Sequence, residues 1–480
     1  MKQHRPWPRF AIVLAVLALI ATGCRDSGTT ADVEDVDTGA APAETTAPAD
    51  TATDTPTETA ADTATPTDTG SPTEGTTPAG DIAFDTGVTE EACPDAVNPD
   101  NGCIYLGTLS DLTVGPFAAL AVPITDAQKA FWNRVNEDGG IGGFDVNVTE
   151  FVRDNQYNPE IHNQEYQAIK NDVLALAQTL GSPTTAAIIE DLNAEGIVAV
   201  PASWTSEWAF QDVILESGVN YCFESMNSID WAVENLEGIE TVMAVHYPGD
   251  YGGDAAAGAR IAAEANGLEF TDVETAPGPD NQSGAISAVA SQQPDLVILT
   301  TNPTDAGAVV GNAAAQGYQG TFIGTGPSWN KGLLTSPAAE AVQALYLASG
   351  PWTWTQESPG RDAMEEALGD VDPNDGYTSG WVWSYPLKAA LEQAAENGDL
   401  TREGLLAAVS ELADVDYEGM LPDEAGNFVG DPNETAYRGS IVSEPNPEAI
   451  VGLDVLQDFF VGPTAEGYDF TQSCFTTTAG

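Results

Sequence analysis

The chain has 480 residues, with 74 acidic against 14 basic and a formal net charge of -60. That imbalance excludes nucleic acid and an anionic membrane surface as partners, since both carry the same sign. The length suits one large α/β unit or two lobes with separate cores.

The amino terminus opens with Lys2, Arg5 and Arg9, continues apolar over residues 10–20, and closes on Ala21, Thr22, Gly23 and Cys24. A basic start, an apolar run and small residues are the layout of a secretory signal. The run is short for a membrane span, and nothing later supplies about twenty unbroken apolar residues. Cys24 in this setting resembles the lipobox of bacterial lipoproteins. The resemblance implies a signal peptide over 1–23, an acylated Cys24, and a place on the outer face of the cell membrane, held there by the lipid. Residues 24–92 are almost entirely Thr, Ala, Pro, Asp, Glu, Ser and Gly, so they are expected to form no core and to act as a tether. As a flexible coil the tether reaches on the order of 45 Å.

The folded part is expected over 93–480. Its four cysteines are an even number in an exported chain, which points to disulfides. Three pairings are open. Cys93 and Cys103 bracket the turn-rich PDAVNPDNG, which favours a local loop and leaves Cys222 with Cys474. His4, His162 and His246 lack zinc-like spacing with these cysteines, so neither a metal nor a cofactor is expected.

From Cys103 to about residue 350, short apolar runs alternate with helical periodicity, the pattern of a doubly wound α/β fold. Strands are expected at 104–109, 144–152, 173–180 and up to Val200, with helices between them. The theme repeats with strands at 241–245, 268–273, 295–300 and 321–324. The architecture is therefore two doubly wound parallel-sheet lobes with a ligand cleft between them, since such sheets bind outside the carboxyl ends of their strands. Lobe I is expected over about 104–230 and 355–450, and lobe II over about 231–354 plus the C-terminal segment. Helices at 381–395 and 402–413 are expected to cover lobe I.

Several motifs have plain structural readings. Gly139, Gly140, Gly142 and Gly143 follow a helix and precede a strand, the reverse of a dinucleotide loop, and so read as a helix stop and turn. Asp370, Asp372, Asn374 and Gly376 imitate a calcium loop, but its sixth position is Asp375 and its twelfth is Trp381. Ser328 and Lys331 spell SxxK, yet the companion SDN and KTG motifs and a GxSxG elbow are absent.

The turn at Gly181, Ser182 and Pro183 is more pointed. A strand ends there and a helix begins, with Ser182 expected as N-cap and Pro183 as first helical residue, an arrangement that can hold an anion. Ala202, Ser203, Trp204, Thr205 and Ser206 repeat it after the next strand, and Trp204 beside a polar loop reads as a pocket wall.

The segments GTLSDLTVGPFAAL, NEDGGIGG, VRDNQYNP, LGSPTTA and PASWTSEW, in this order and spacing, resemble the branched-chain amino acid type of ABC-transporter solute-binding protein, with the type I periplasmic binding fold. The likeness implies that Ser182 and Thr205 hold a carboxylate, that Ser203 adds backbone contacts, and that Phe117 and Leu120 wall the first lobe. It also implies Tyr251 from HYPGDYGGD and Asn302 in place of a second tyrosine. The family's ammonium-binding glutamate would fall near Gly326, where this chain has none, with Asp305 as a candidate substitute. The reading is a monomeric receptor that closes on a small amino acid, amide or related carboxylate and presents it to an ABC permease, with no covalent chemistry. A sensor of the same fold without a transporter is one alternative, and a surface serine hydrolase using Ser328 and Lys331 is another.

Overall fold

The computed structural model describes residues 82–475, so the signal segment, Cys24 and the tether as far as residue 81 lie outside the described residues. Residues from Ile82 on already take part in the described fold, ahead of the expected tether end at 92. The stretch DIAFDTGV is the first after the Thr and Pro tract to carry alternating apolar residues. Ile82 and Phe84 pack on the main core and Val88 is buried within it.

Two short strands form there, β1 (Ala83–Phe84) and β2 (Val88–Thr89). The first lobe is built on β3 (Gly102–Ser110), β4 (Phe144–Asp154), β5 (Ala175–Leu180) and β6 (Ala199–Ala202). β3 is flanked by β4 and β5, and β6 extends the sheet beyond β5, all parallel. β2 adds an antiparallel pairing at the start of β3. Strands β5 (ALAQTL) and β6 (AVPA) are mostly apolar because the sheet is covered on both faces. Helix Ala118–Glu137 buries Ile124, Ala127, Phe131 and Val135 at helical spacing. The glycine cluster after it takes positive φ at Gly139, Gly140, Gly142 and Gly143, the helix stop and turn its order implies.

The second lobe carries β7 (Thr241–His246), β8 (Glu269–Glu274), β9 (Leu296–Thr300), β10 (Thr321–Gly324) and β11 (Tyr346–Gly350), all parallel. The chain then returns to the first lobe through helices Pro359–Leu368, Asp375–Val382, Ser384–Glu396 and Arg402–Val409, with β12 (Asp399–Leu400) pairing β1. The single helix expected over 381–395 is interrupted at Trp383. Pro386 has no N–H to donate back to Val382, so the ladder resets there. Asn374 caps the helix Asp375–Val382 by accepting the Gly376 N–H at 3.0 Å, which gives the calcium-like residues a local structural role.

Two further strands, β13 (Ser440–Pro445) and β14 (Leu453–Phe460), add antiparallel beyond β11. Residues 440–445 therefore pair with the second sheet, not with the first lobe where the expected 355–450 segment put them. By pairing β11, β13 removes an open edge of that sheet. Both expected disulfides are formed, Cys93–Cys103 and Cys222–Cys474.

Helix Tyr221–Asn235 lies against helix Asp250–Ala265 of the second lobe, and their approach depends on Gly258. A Cβ there would sit 2.1 Å from the Cys222 carbonyl oxygen, a backbone atom that cannot step aside. Gly258→Ala is expected to force the helices apart and cost about 2 kcal/mol. Urea unfolding measures it, and an unchanged midpoint would rule the clash out.

Candidate functional site

At the carboxyl ends of both sheets lies a cleft between the lobes, with about 110 Å³ measured to the centres of water-sized spheres. The lobes are in contact beside it. The Phe117 ring from the first lobe reaches Tyr251 of the second at 5.9 Å, and the Ser206 N–H donates to Asp254 at 3.0 Å.

The strand end before Ser182 is fixed from below. Gly181, not Ser182, is the N-cap, at φ 98°, so Ser182 and Pro183 occupy the first two helical positions. Only glycine suits the cap, because a Cβ would strike Thr184 Oγ1 and the Tyr157 ring at 2.6 Å. Thr184 Oγ1 donates to the Gly181 carbonyl at 2.8 Å, and Thr185 Oγ1 to that of Thr179 at 3.1 Å. Beneath them His162 Nε2 meets Thr179 Oγ1 at 3.1 Å, while burial drives the imidazole pKa down to about 3 and keeps it neutral. The Ser182 hydroxyl is thus held at the cleft, buried, with no protein hydrogen-bond partner among the described residues.

Phe117, Tyr157, Trp204, Tyr221, Tyr251, Trp329, Trp352 and Trp383 add an aromatic share to the wall. Trp204 packs against Trp383 at 4.7 Å, Trp352 at 5.4 Å and Tyr221 at 5.9 Å, and its Nε1 donates to the Ser217 carbonyl at 2.8 Å. Three more buried donors on cleft-lining residues have no partner among the described residues: Trp329 Nε1, Trp383 Nε1 and Ser443 Oγ.

The fold brings Phe117, Leu120, Ser182, Ser203, Trp204 and Tyr251 together on the cleft. Thr205 and Asn302 fall outside its lining. Thr205 is fully buried, and its Oγ1 accepts the Glu207 N–H at 3.5 Å in the following turn. Asn302 is the N-cap of helix Pro303–Ala315, accepting the Asp305 N–H at 2.9 Å, and capping turns it toward its own helix. Asp305 does not substitute for the missing glutamate either. Its carboxylate accepts from Tyr247 Oη at 2.5 Å and the Gly278 N–H at 2.7 Å, off the cleft.

A different carboxyl reaches the Gly326 segment from behind. Glu224, on helix Tyr221–Asn235, accepts the Gly326 N–H at 2.8 Å and the Ser349 hydroxyl at 2.6 Å. It is completely buried, and loss of solvation lifts its pKa to about 7. Gly326 and Ser349 line the cleft, whereas Glu224 itself does not. Sequence reasoning missed it because the contact spans 102 residues. It also missed Trp352 and Trp383, although the tryptophan-rich PWTWT and WVW stretches carried a compositional signal.

The SxxK pair does not form a dyad. The Ser328 hydroxyl is buried against the Leu299 and Thr301 carbonyls at 2.9 and 2.8 Å, while Lys331 Nζ pairs with Asp372 at 3.0 Å. Ser328 closes a turn, and its hydroxyl's partners among the described residues are carbonyls, a backbone N–H and the Thr325 hydroxyl, none of them a base for nucleophilic attack. Among the described residues, no group of His, Cys, Asp and Glu side chains is arranged to hold a metal ion.

No curated protein sequence matches the chain at a significant level. Among solved structures, a fatty acid ABC transporter substrate-binding protein from Thermomonospora curvata is similar at 27% identity and TM-score 0.73, covering 81% of this chain and 97% of its own. A branched-chain amino acid ABC transporter protein from Thermus thermophilus with bound valine is similar in fold, at 16% identity and TM-score 0.64, covering 76% and 98%. A leucine-binding protein from Thermotoga maritima stands at 16% and 0.63, covering 75% and 99%. The family model for periplasmic binding proteins matches residues 104–441, so this two-lobed chain with its interlobe cleft belongs to the periplasmic binding protein family.

Proposed function

We propose that the protein is the extracytoplasmic substrate-binding component of an ABC importer and captures a solute with a large apolar body and a carboxylate end. The observation that carries this reading is the cleft wall itself. Aromatic rings packed edge-to-face and tilted line it, and Ser182 Oγ, Trp329 Nε1 and Trp383 Nε1 stand among them as buried donors without partners among the described residues. Aromatic and aliphatic surface binds an apolar body through area removed from water, and unpaired donors strongly favour a ligand that accepts their hydrogens. The similarity to a fatty acid ABC transporter substrate-binding protein supports an apolar chain over a small polar amino acid. The closed lobes would be the form presented to a permease. We further propose that the chain acts as a monomer held at the membrane by an acylated Cys24.

Titration of the full chain with straight-chain acids of increasing length, beside leucine and valine, tests the reading. An apolar acid is expected to raise the unfolding temperature, with roughly 2.7 kcal/mol gained at a hundredfold excess over Kd. Ser182→Ala is expected to weaken that acid about tenfold or more, the worth of a hydrogen bond to a charged group. Unchanged affinity in the variant would remove Ser182 from the site. Tighter binding of leucine than of any straight-chain acid would reverse the ligand class.

A further inference from the structure

Among the described residues, Asp375 is the one acidic residue on the cleft lining, at the first position of helix Asp375–Val382 in the first lobe. Its Oδ1 accepts the Trp354 N–H at 2.8 Å and the Thr353 hydroxyl at 3.3 Å. Its Oδ2 makes no hydrogen bond with the described residues. It is also not sealed among the buried orphan atoms, and the residue keeps some accessible surface on the cleft.

A structural role does not account for that second oxygen. The helix start is already capped by Asn374, and holding the Trp354 N–H takes Oδ1 alone, which an asparagine supplies equally well. An ionised carboxyl has about four lone-pair sites, and those on Oδ2 are unmet by the described residues. Burial accordingly lifts the Asp375 pKa to about 6. The basic residue on the described lining, Lys331, directs its Nζ to Asp372 at 3.0 Å. No described residue donates to Oδ2, which leaves it open to a donor that enters the cleft.

We propose that Asp375 is a specificity-determining residue, and that the solute is an amino- or hydroxy-substituted apolar carboxylate whose N–H or O–H donor is received by Asp375 Oδ2. This rests on the reading of the cleft as the site for an apolar carboxylate. It adds a second polar anchor, on a different element from Ser182, and restores by another route the acidic partner missing near Gly326.

The test is calorimetric titration of the full chain, wild type and Asp375→Asn, with octanoate, 2-aminooctanoate, 8-aminooctanoate and 2-hydroxyoctanoate. In the variant the amide oxygen takes the Oδ1 place and keeps the Trp354 N–H, while the amide nitrogen takes the Oδ2 place and can no longer receive a donor. At least one substituted acid is expected to bind wild type roughly tenfold tighter than octanoate, and the variant to retain less than about threefold of that preference. The amino and hydroxy members distinguish a cationic nitrogen from a neutral hydroxyl. Octanoate binding wild type as tightly as every substituted acid overturns the assignment, and that comparison stands even where the variant does not fold. A preference that survives intact in Asp375→Asn overturns it as well. If none of the four acids binds wild type, the carboxylate reading of the cleft itself falls, and this proposal with it.

Discussion

Loss of the Cys222–Cys474 disulfide is expected to destabilise the folded chain by about 3 to 5 kcal/mol, more than loss of Cys93–Cys103. The two bridges close loops of very different size, with sequence separations of 252 and 10. In the chain-entropy account the longer loop restrains the unfolded ensemble more, although the dependence is logarithmic. Native contacts add to the difference. Cys474 donates its N–H to Ser206 Oγ at 2.8 Å, and the segment it anchors places Phe470 against Phe210 and Phe223, each at 4.9 Å. Ser206 in turn donates to Asp254 across the lobes, so releasing the segment loosens a point where the two lobes meet. Denaturant unfolding of the Cys222→Ser/Cys474→Ser and Cys93→Ser/Cys103→Ser double variants compares the two. A smaller cost for the long-range pair would contradict this account.

The second large effect is a fall in stability with rising pH that depends on Glu224. Burial raises its pKa from 4.5 to about 7, so the folded state binds a proton that the unfolded state releases between those values. The favourable contribution is fully present below about pH 4.5 and is lost as pH rises through about 7. At pH 8 the loss amounts to roughly 3 kcal/mol. Asp254 and Asp375 are raised by burial too and slope the same way, so the wild-type profile alone does not isolate Glu224. Glu224→Gln does. The amide oxygen still accepts the Gly326 N–H and the Ser349 hydroxyl, and no charge has to be buried at alkaline pH. The variant is expected to gain on wild type steadily from about pH 5 to about pH 8, read from urea midpoints. Parallel profiles would show that Glu224 does not titrate in this range.

Much of the molecule follows from local pattern. Strands such as β5 and β9 are short apolar runs ending in turn residues, and their alternation with helical spacing implies parallel sheets in two lobes. The Cys93–Cys103 loop follows from a turn-rich segment, and that pairing left Cys222 and Cys474 for each other. The segments that place Ser182, Ser203, Trp204, Phe117 and Tyr251 on one cleft lie at strand ends or in the loops beside them, where order along the chain translates directly into position. Ile82, Phe84 and Val88, which pack into the core, also had a visible apolar alternation, but too brief to separate from the tract before them.

Other features depend on partners far away in the chain. β13 and β14 carry no strong periodic signal of their own and become strands because β11 offers an edge to pair. Asn302 looked like a ligand residue by position and became a helix cap, because its side chain satisfies the Asp305 N–H close at hand. Glu224 was an unmarked acid in the sequence, and Asp375 stood out only as the residue that breaks a calcium-like loop. Burial and the distant groups they meet, Gly326 and Ser349 for one and Trp354 for the other, make the first a proton-holding support of the cleft and leave the second with an oxygen open to a solute. Local propensity therefore determined which elements form and in what order, whereas the character of the cleft was decided by tertiary packing, since hydrogen-bond satisfaction and desolvation depend on neighbours that only the folded chain brings within reach.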